Sequence, residues 1–353
     1  MNSPPALLAP EESVGHRGAG AGDEVEWAAA VAGSADRALD FALDVGWRLP
    51  RPGSGRTAER WRRLRDVAAA DLTAARVLEA HADALAILAE AADGGPGGVA
   101  GDGHRRWGVF AAEGPGVRVC AEPAGDGWVL RGTKPWCSLA GRLDRALITA
   151  HVGPGGRRLF SIDLTDPRVT VAPVDGWVAR GLTEVTSTSI RLDGCPARPI
   201  GGTGWYLDRP GFAWGGLGVA ACWLGGAIGV ARTLRAAGRE REPDQVALAH
   251  LGAVDTALFA ADAVLRDAAA AVDDGRADGP AGALWAARVR AVVADTVETV
   301  VTRVGHALGP APLAFDAAHA RRVADLQLYV RQHHAERDAA RLGDRLLDLP
   351  AWW

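Results

Sequence analysis

Leu64, Ala68, Leu72, Ala75, Leu78 and Leu85 recur at three- and four-residue spacing, a period that puts them on one face of a helix. Residues 24–46 and 57–92 share this helical pattern, with Arg51-Pro-Gly-Ser-Gly between them and Asp93-Gly-Gly-Pro-Gly-Gly ending the second stretch. Between Trp107 and Ile200 the texture changes. Short runs rich in Val, Ile, Trp and Thr alternate with turns such as Ala124-Gly-Asp-Gly and Gly153-Pro-Gly-Gly, and no helix-length segment intervenes. This predicts a small antiparallel β domain and not a parallel sheet of βαβ units. From Gly211 the helical pattern returns in segments at about 211–238, 244–273, 280–308 and 317–347, broken at Gly238, Asp273-Asp-Gly-Arg and Gly309-Pro-Ala-Pro. Val254, Leu258, Ala261 and Leu265 form one stripe, and Val289, Val293, Val297, Val300 and Val304 another, as an antiparallel four-helix bundle requires.

The expected fold class is therefore α+β. A flexible tail over residues 1–23, rich in Pro, Gly and Ala, precedes an N-terminal helical domain (24–105), a middle β domain (106–203) and a C-terminal four-helix bundle (204–353). At 353 residues and 48% hydrophobic content the chain can bury a core of that extent.

Charge and cysteine usage narrow the function classes. A formal net charge of −4 gives no basic field for nucleic acid or an anionic membrane surface. Cys120, Cys137, Cys195 and Cys222 are scattered, with no Cys-x-x-Cys pair, which argues against a zinc site or a disulfide scaffold and fits a cytoplasmic location. The N-terminus, with acidic residues and prolines, does not read as a secretory signal. Residues 211–231 are uncharged over nearly the length of a membrane span. Seven glycines and the lack of any dense Ile/Leu/Val block favour a buried helix of the bundle instead.

The chemistry-bearing stretch is Gly127-Trp-Val-Leu-Arg-Gly-Thr-Lys-Pro-Trp-Cys-Ser-Leu-Ala. It resembles the Gly-x-Trp-x-Leu-x-Gly-x-Lys-x-Trp pattern of the acyl-CoA dehydrogenase-like flavoprotein superfamily. The order of helical segment, small β domain and helical bundle is that family's order, so the resemblance spans about residues 24–347. It implies an FAD cofactor, with Trp136 covering the isoalloxazine ring and Cys137 and Ser138 lining it. A flat aromatic wall with few polar groups suits such a ring. Val109-Phe-Ala-Ala-Glu-Gly-Pro occupies the place of a second flavin strand, which implicates Phe110 and Ala112, although Ala112 stands where the family has a threonine. The family's Gly-Ser turn at the pyrophosphate is missing. Each absent hydrogen bond weakens binding by about 0.5–1.5 kcal/mol. Arg118, Arg239 and Arg241 either supply compensating charge or are solvated surface residues. Gly305 and Gly309 sit where the family's glycine loop holds the adenine end of a neighbouring subunit's cofactor.

The resemblance implies an enzyme, an FAD-dependent oxidoreductase that dehydrogenates an acyl thioester of CoA or a carrier protein at its α,β-bond. The expected assembly is a homo-oligomer, a dimer or tetramer, or a hetero-oligomer with a homologue. The sequence names no electron acceptor. Such a reaction needs a positioned base, normally glutamate. Val330 follows Tyr329 at the usual place, and the start of the first bundle helix, Gly-Phe-Ala-Trp-Gly-Gly-Leu, holds no carboxylate. No catalytic residue is therefore assigned. His333, His334, Glu336 and Asp338 lie on what reads as one helical stretch, with His334 and Asp338 sharing a face. They stand as a displaced base, as the counterpart of a histidine in flavin monooxygenases of the same fold, or as a solvated helix face. No ligand spacing for a metal is present. Two alternatives follow from the missing glutamate: a monooxygenase given reduced flavin by a partner, or a catalytically degenerate subunit supporting an active homologue.

Overall fold

Ser34 and Asp71 divide the N-terminal helical region into four helices where periodicity alone predicts two. The computed structural model describes residues 21–93, 104–153 and 155–349. The first twenty residues of the expected tail and the glycine run after Asp93 lie outside these. Residues 21–23, expected in the tail, instead open helix α1 (Ala21–Ala30). Gly33, at φ 72°, turns the chain, and the Ser34 side chain caps α2 (Ala35–Gly46) by accepting from Arg37 N. The predicted 57–92 helix is broken at Asp71, whose backbone is extended. This separates α3 (Thr57–Ala70) from α4 (Leu72–Asp93). The Asp71 carboxylate accepts from Ala74 N at 2.8 Å and from Arg321 Nη2 at 2.7 Å, so the break is both a cap and a tie to the far end of the chain.

The short apolar runs between Trp107 and Ile200 form seven strands: β1 (Trp107–Phe110), β2 (Val119–Ala124), β3 (Gly127–Ser138), β4 (Arg145–Val152), β5 (Gly156–Asp163), β6 (Val169–Val171) and β7 (Ser187–Ile200). The expectation of a purely antiparallel domain needs correction. β1 runs parallel to β4, and Cys120 of β2 bridges His151 of β4 in parallel. β1 is a separate arrival from the α4 side and joins the outer edge of β4 in the direction in which it enters. The remaining strands pair antiparallel, and because β5 meets both β4 and β7 the sheet closes into a small barrel with β1 and β6 attached.

After the short α5 (Trp205–Asp208), three long helices follow: α6 (Pro210–Glu240), α7 (Gln245–Asp273) and α8 (Gly279–Leu308). The last predicted segment is again broken. Beyond α9 (Ala311–Phe315), α10 (Ala317–Tyr329) ends in a tight turn, and α11 (Glu336–Leu347) begins only after Ala335, held at φ 45°. Arg290 of α8 donates to the Gln332 carbonyl at 3.1 Å, and the Asp338 carboxylate caps α11 at His334 N, 3.0 Å. These contacts satisfy polar groups that a continuous helix would bond internally.

α6 contains the uncharged stretch 211–231, and it is interior: the 18-residue apolar window that gives it membrane-span character is 78% buried. It packs on α3 as well as on α8. Its glycines are what allow this. A Cβ at Gly225 would stand 2.1 Å from the Arg65 carbonyl oxygen, so only glycine lets the two backbones approach so closely. Alanine is the better helix former by about 1 kcal/mol. Gly225→Ala is nonetheless expected to lower stability by about 2 kcal/mol or more through overpacking, measured as a fall in the denaturant midpoint.

Asp325 of α10 pins the barrel to the helices. Its buried carboxylate accepts from Leu182 N at 2.5 Å and so holds Leu182 at φ 47°, a conformation that L-residues rarely adopt. Burial pushes Asp325 up to about 6, against the opposing pull of the Leu182 N–H and Arg321. A carboxyl raised above its unfolded value binds its proton more tightly when folded, so its contribution to stability declines as pH rises from about 4 to about 6. Asp325→Asn, which keeps an acceptor for Leu182, should remove that decline, worth about 2 kcal/mol, in urea melts at pH 4.5 and 7.

Candidate active site

Pro135 and Trp136 interrupt β3. The pairing with β7 runs from Lys134↔Ile190 to Cys137↔Thr188, so β3 carries one residue more than its partner between these points. Proline cannot donate to the ladder, and Trp136 takes up the bulge at φ 59°. The bulge turns the indole outward: Trp136 is 60% exposed and meets Trp177 edge-on, ring centroids 6.5 Å apart. Both indoles line a cleft of about 630 Å³ between the barrel, α4 and the end of α10. That volume lies within the range of ligand pockets, about 300–1,000 Å³. Leu182 and Val185 add apolar wall, and the Ser138 and Ser187 hydroxyls, 2.8 Å apart, supply a polar edge.

The opposite wall is one face of α4, where Arg76, Glu79, Ala80 and Asp83 follow a 3, 1, 3 spacing and all line the cleft. Glu79 is buried, accepts from Arg76 Nη1 at 3.0 Å, and accepts from the Tyr329 hydroxyl at 3.3 Å. Arg76 also reaches Ser138 Oγ at 3.5 Å and lies over the Tyr329 ring at 5.8 Å, linking the two walls. Desolvation holds Glu79 and Asp83 above the usual carboxylate range, opposed by Arg76 for Glu79 and by Arg209 and Arg60 for Asp83. The same burial raises Tyr329 well above its ordinary value, which keeps the hydroxyl a hydrogen-bond donor. Both carboxyl groups on this face are therefore more basic than solvated ones.

The residues expected at the cofactor divide. Trp136, Ser138 and Ala112 line the cleft. Cys137 does not: strand alternation turns it into the barrel core, fully buried, where its thiol reaches the Lys134 carbonyl at 3.3 Å and burial pushes it up to about 12. Phe110 is likewise a core residue, and it is its neighbours Val109 and Ala111 that face the cleft. Gly305 and Gly309 lie at the C-terminal end of α8, outside the cleft lining, where Gly309 at φ 68° ends the helix. Arg118, Arg239 and Arg241 are exposed and also outside it.

The histidine cluster separates because its helix is broken. His334 stands at the cleft rim, paired with Asp338 at 3.6 Å as the four-residue spacing predicts. His333 turns the other way, edge-on to Trp223, and Glu336 lies with it beneath α8. Val330, at the expected base position, is buried and outside the cleft lining. Among the described residues no group of three or more His, Cys, Asp or Glu side chains could hold a metal. Sequence reasoning missed Arg76, Glu79 and Asp83. Their signal was present: three charges at helical spacing along the most apolar N-terminal helix, where a solvated face would break the core.

The cleft fits a flavin on three counts. Trp136 offers an exposed flat face, the serine pair offers polar atoms at its edge, and the Trp177 indole N–H is buried without an acceptor. No family model matches the chain, and no curated protein does. Solved structures do. A KijD3 in complex with FMN and dTDP-3-amino-2,3,6-trideoxy-4-keto-3-methyl-D-glucose is 22% identical, with a TM-score of 0.75 over 92% of this chain and 90% of that one. FMN-bound TdsC from Paenibacillus sp. A11-2 is 18% identical, with a TM-score of 0.76 over 94% and 98%. Methanesulfinate monooxygenase MsuC from Pseudomonas fluorescens is 17% identical, with a TM-score of 0.70 over 98% and 100%. The chain has the fold that these flavin-binding and monooxygenase structures share.

Proposed function

We propose that this protein is a flavin-dependent monooxygenase, active with reduced flavin delivered by a separate reductase. The observation that carries the reading is the pairing of an exposed, bulge-held Trp136 wall with the absence of a carboxylate at either position from which a dehydrogenase of this fold draws its base. The likeness to FMN-bound TdsC and to MsuC supports it. A bound reduced flavin would supply the activation of dioxygen. The chain's own residues do the rest. Trp136 and Trp177, set nearly perpendicular to each other, would hold a flavin between a face and an edge contact, Ser138 and Ser187 would offer it polar atoms, and Leu182 and Val185 would exclude water from that side. Glu79, fixed by Arg76 and Tyr329, stores a proton at the substrate side.

FMN suits the site better than the FAD that the motif implies. The turn after Glu113 is Gly114-Pro115-Gly116, closed by a bridge from Gly114 to Val117, and it carries no hydroxyl to meet a pyrophosphate. The homo-oligomer remains part of the proposal: Leu248 and Phe259, on one face of α7, are 51% and 69% exposed and suited to burial against another subunit. Acyl thioester dehydrogenation is the second reading, favoured by one observation: burial raises Glu79 toward the basicity of a general base.

Flavin fluorescence is expected to be quenched on titration with the protein, FMN binding more tightly than FAD. Trp136→Ala should weaken FMN by about tenfold through lost stacking and buried area. Oxygen uptake with reduced FMN, without flavin reduction by any acyl thioester, is the outcome that supports oxygenation. Bleaching of bound flavin by a thioester, lost in Glu79→Gln, would transfer the assignment to the dehydrogenase. A protein that quenches neither flavin has a different function.

A further inference from the structure

We infer that Asp83 anchors a basic nitrogen of the substrate, so that the cleft selects an amine carried on an apolar body; this rests on the cleft being the substrate site of the proposed oxygenase. Asp83 lines the cleft, yet among the described residues its carboxylate has no hydrogen-bond or ion-pair partner. The cations that act on it are committed elsewhere. Arg76 is held by Glu79, Arg209 by Glu90 at 2.6 Å, and Arg60 by the Pro50 carbonyl at 3.1 Å. The half-buried carboxylate faces the cleft with both oxygens uncommitted to the protein, so a bound ligand that covers it must bring a donor or leave it unpaired.

The surroundings are shaped for it. A Cβ at Gly215 of α6 would lie 2.9 Å from Asp83 Oδ1, so the glycine leaves the carboxylate its room. Val109, Ala111, Val219 and the buried Tyr206 ring surround the approach with apolar surface. An anionic substrate would meet Asp83 and Glu79 together and be repelled. A neutral hydroxyl could donate to Asp83, but an ammonium adds an opposite full charge to the same hydrogen bond in a desolvated site. The site therefore ranks amine over alcohol over carboxylate, and Asp83 acts as a specificity-determining residue.

Calorimetric titration of the full-length protein with 2-phenylethylamine, 2-phenylethanol and 3-phenylpropionate, with and without FMN, tests this ranking. The amine should bind at least about tenfold more tightly than the alcohol, and the carboxylate weakest. Asp83→Asn should abolish the preference, bringing the amine to the level of the alcohol. Gly215→Ala, which crowds the same carboxylate from α6, should weaken the amine as well. Equal binding of all the probes, preference for the carboxylate, or an amine preference that survives Asp83→Asn would each overturn the assignment. Failure to bind flavin alongside an intact, Asp83-dependent amine preference would sink the oxygenase reading while leaving the amine site standing.

Discussion

The architecture depends on how closely α6 approaches its neighbours. Gly225 brings its backbone against α3, while Gly226 lies against Leu72 and Leu326 and Gly229 against Arg322. Those contacts fix α4 and α10 on one side of the same helix. Arg76 and Glu79 on α4 then meet Tyr329 at the end of α10, across a gap that larger residues on α6 would have widened. The polar wall of the cleft is thus set by steric constraints on a helix that contributes little chemistry of its own.

Most of the fold was legible because it rests on periodicity and turn chemistry, which act locally. Seven strand runs and the three long helices of the C-terminal half stand where the pattern puts them. Two of the missed breaks share one cause, side chains acting over long sequence distances. Asp71 reads as one more helix residue until Arg321, distant in sequence, is seen to hold its carboxylate. The break after Tyr329 is invisible because Arg290 on another helix satisfies it. The parallel pairing of β1 follows from the side on which α4 delivers the chain, which no strand pattern records.

The site was legible in its aromatic half and hidden in its charged half. The family-like motif singles out Trp136, and the structure brings Trp136, Ser138 and Ala112 to one cleft, with the indole carried on a bulge that the motif does not record. Cys137 shows the limit of adjacency as a guide, since consecutive strand residues face opposite sides. Glu79 and Asp83 are not marked by the family-like motif, whose base positions lie in the C-terminal half of the chain. Helix α4 presents its carboxylates to the same space from the N-terminal region. The divided histidines carry the same lesson: a four-residue interval predicted the His334–Asp338 pair, while the break sent His333 beneath α8.

α11 has no buried residue, and beyond its own first turn it is tethered chiefly by Arg345 to the Ala283 carbonyl and by Arg290 to Gln332. Undocking it exposes little apolar area, so it belongs to the least cooperative part of the molecule and opens at a free energy far below that of global unfolding. Gln332 and His334 stand at the rim beside this helix, while Trp136 and Glu79 are held by the barrel and α4. A local opening of α11 would therefore loosen one edge of the cleft and leave its aromatic and charged walls in place.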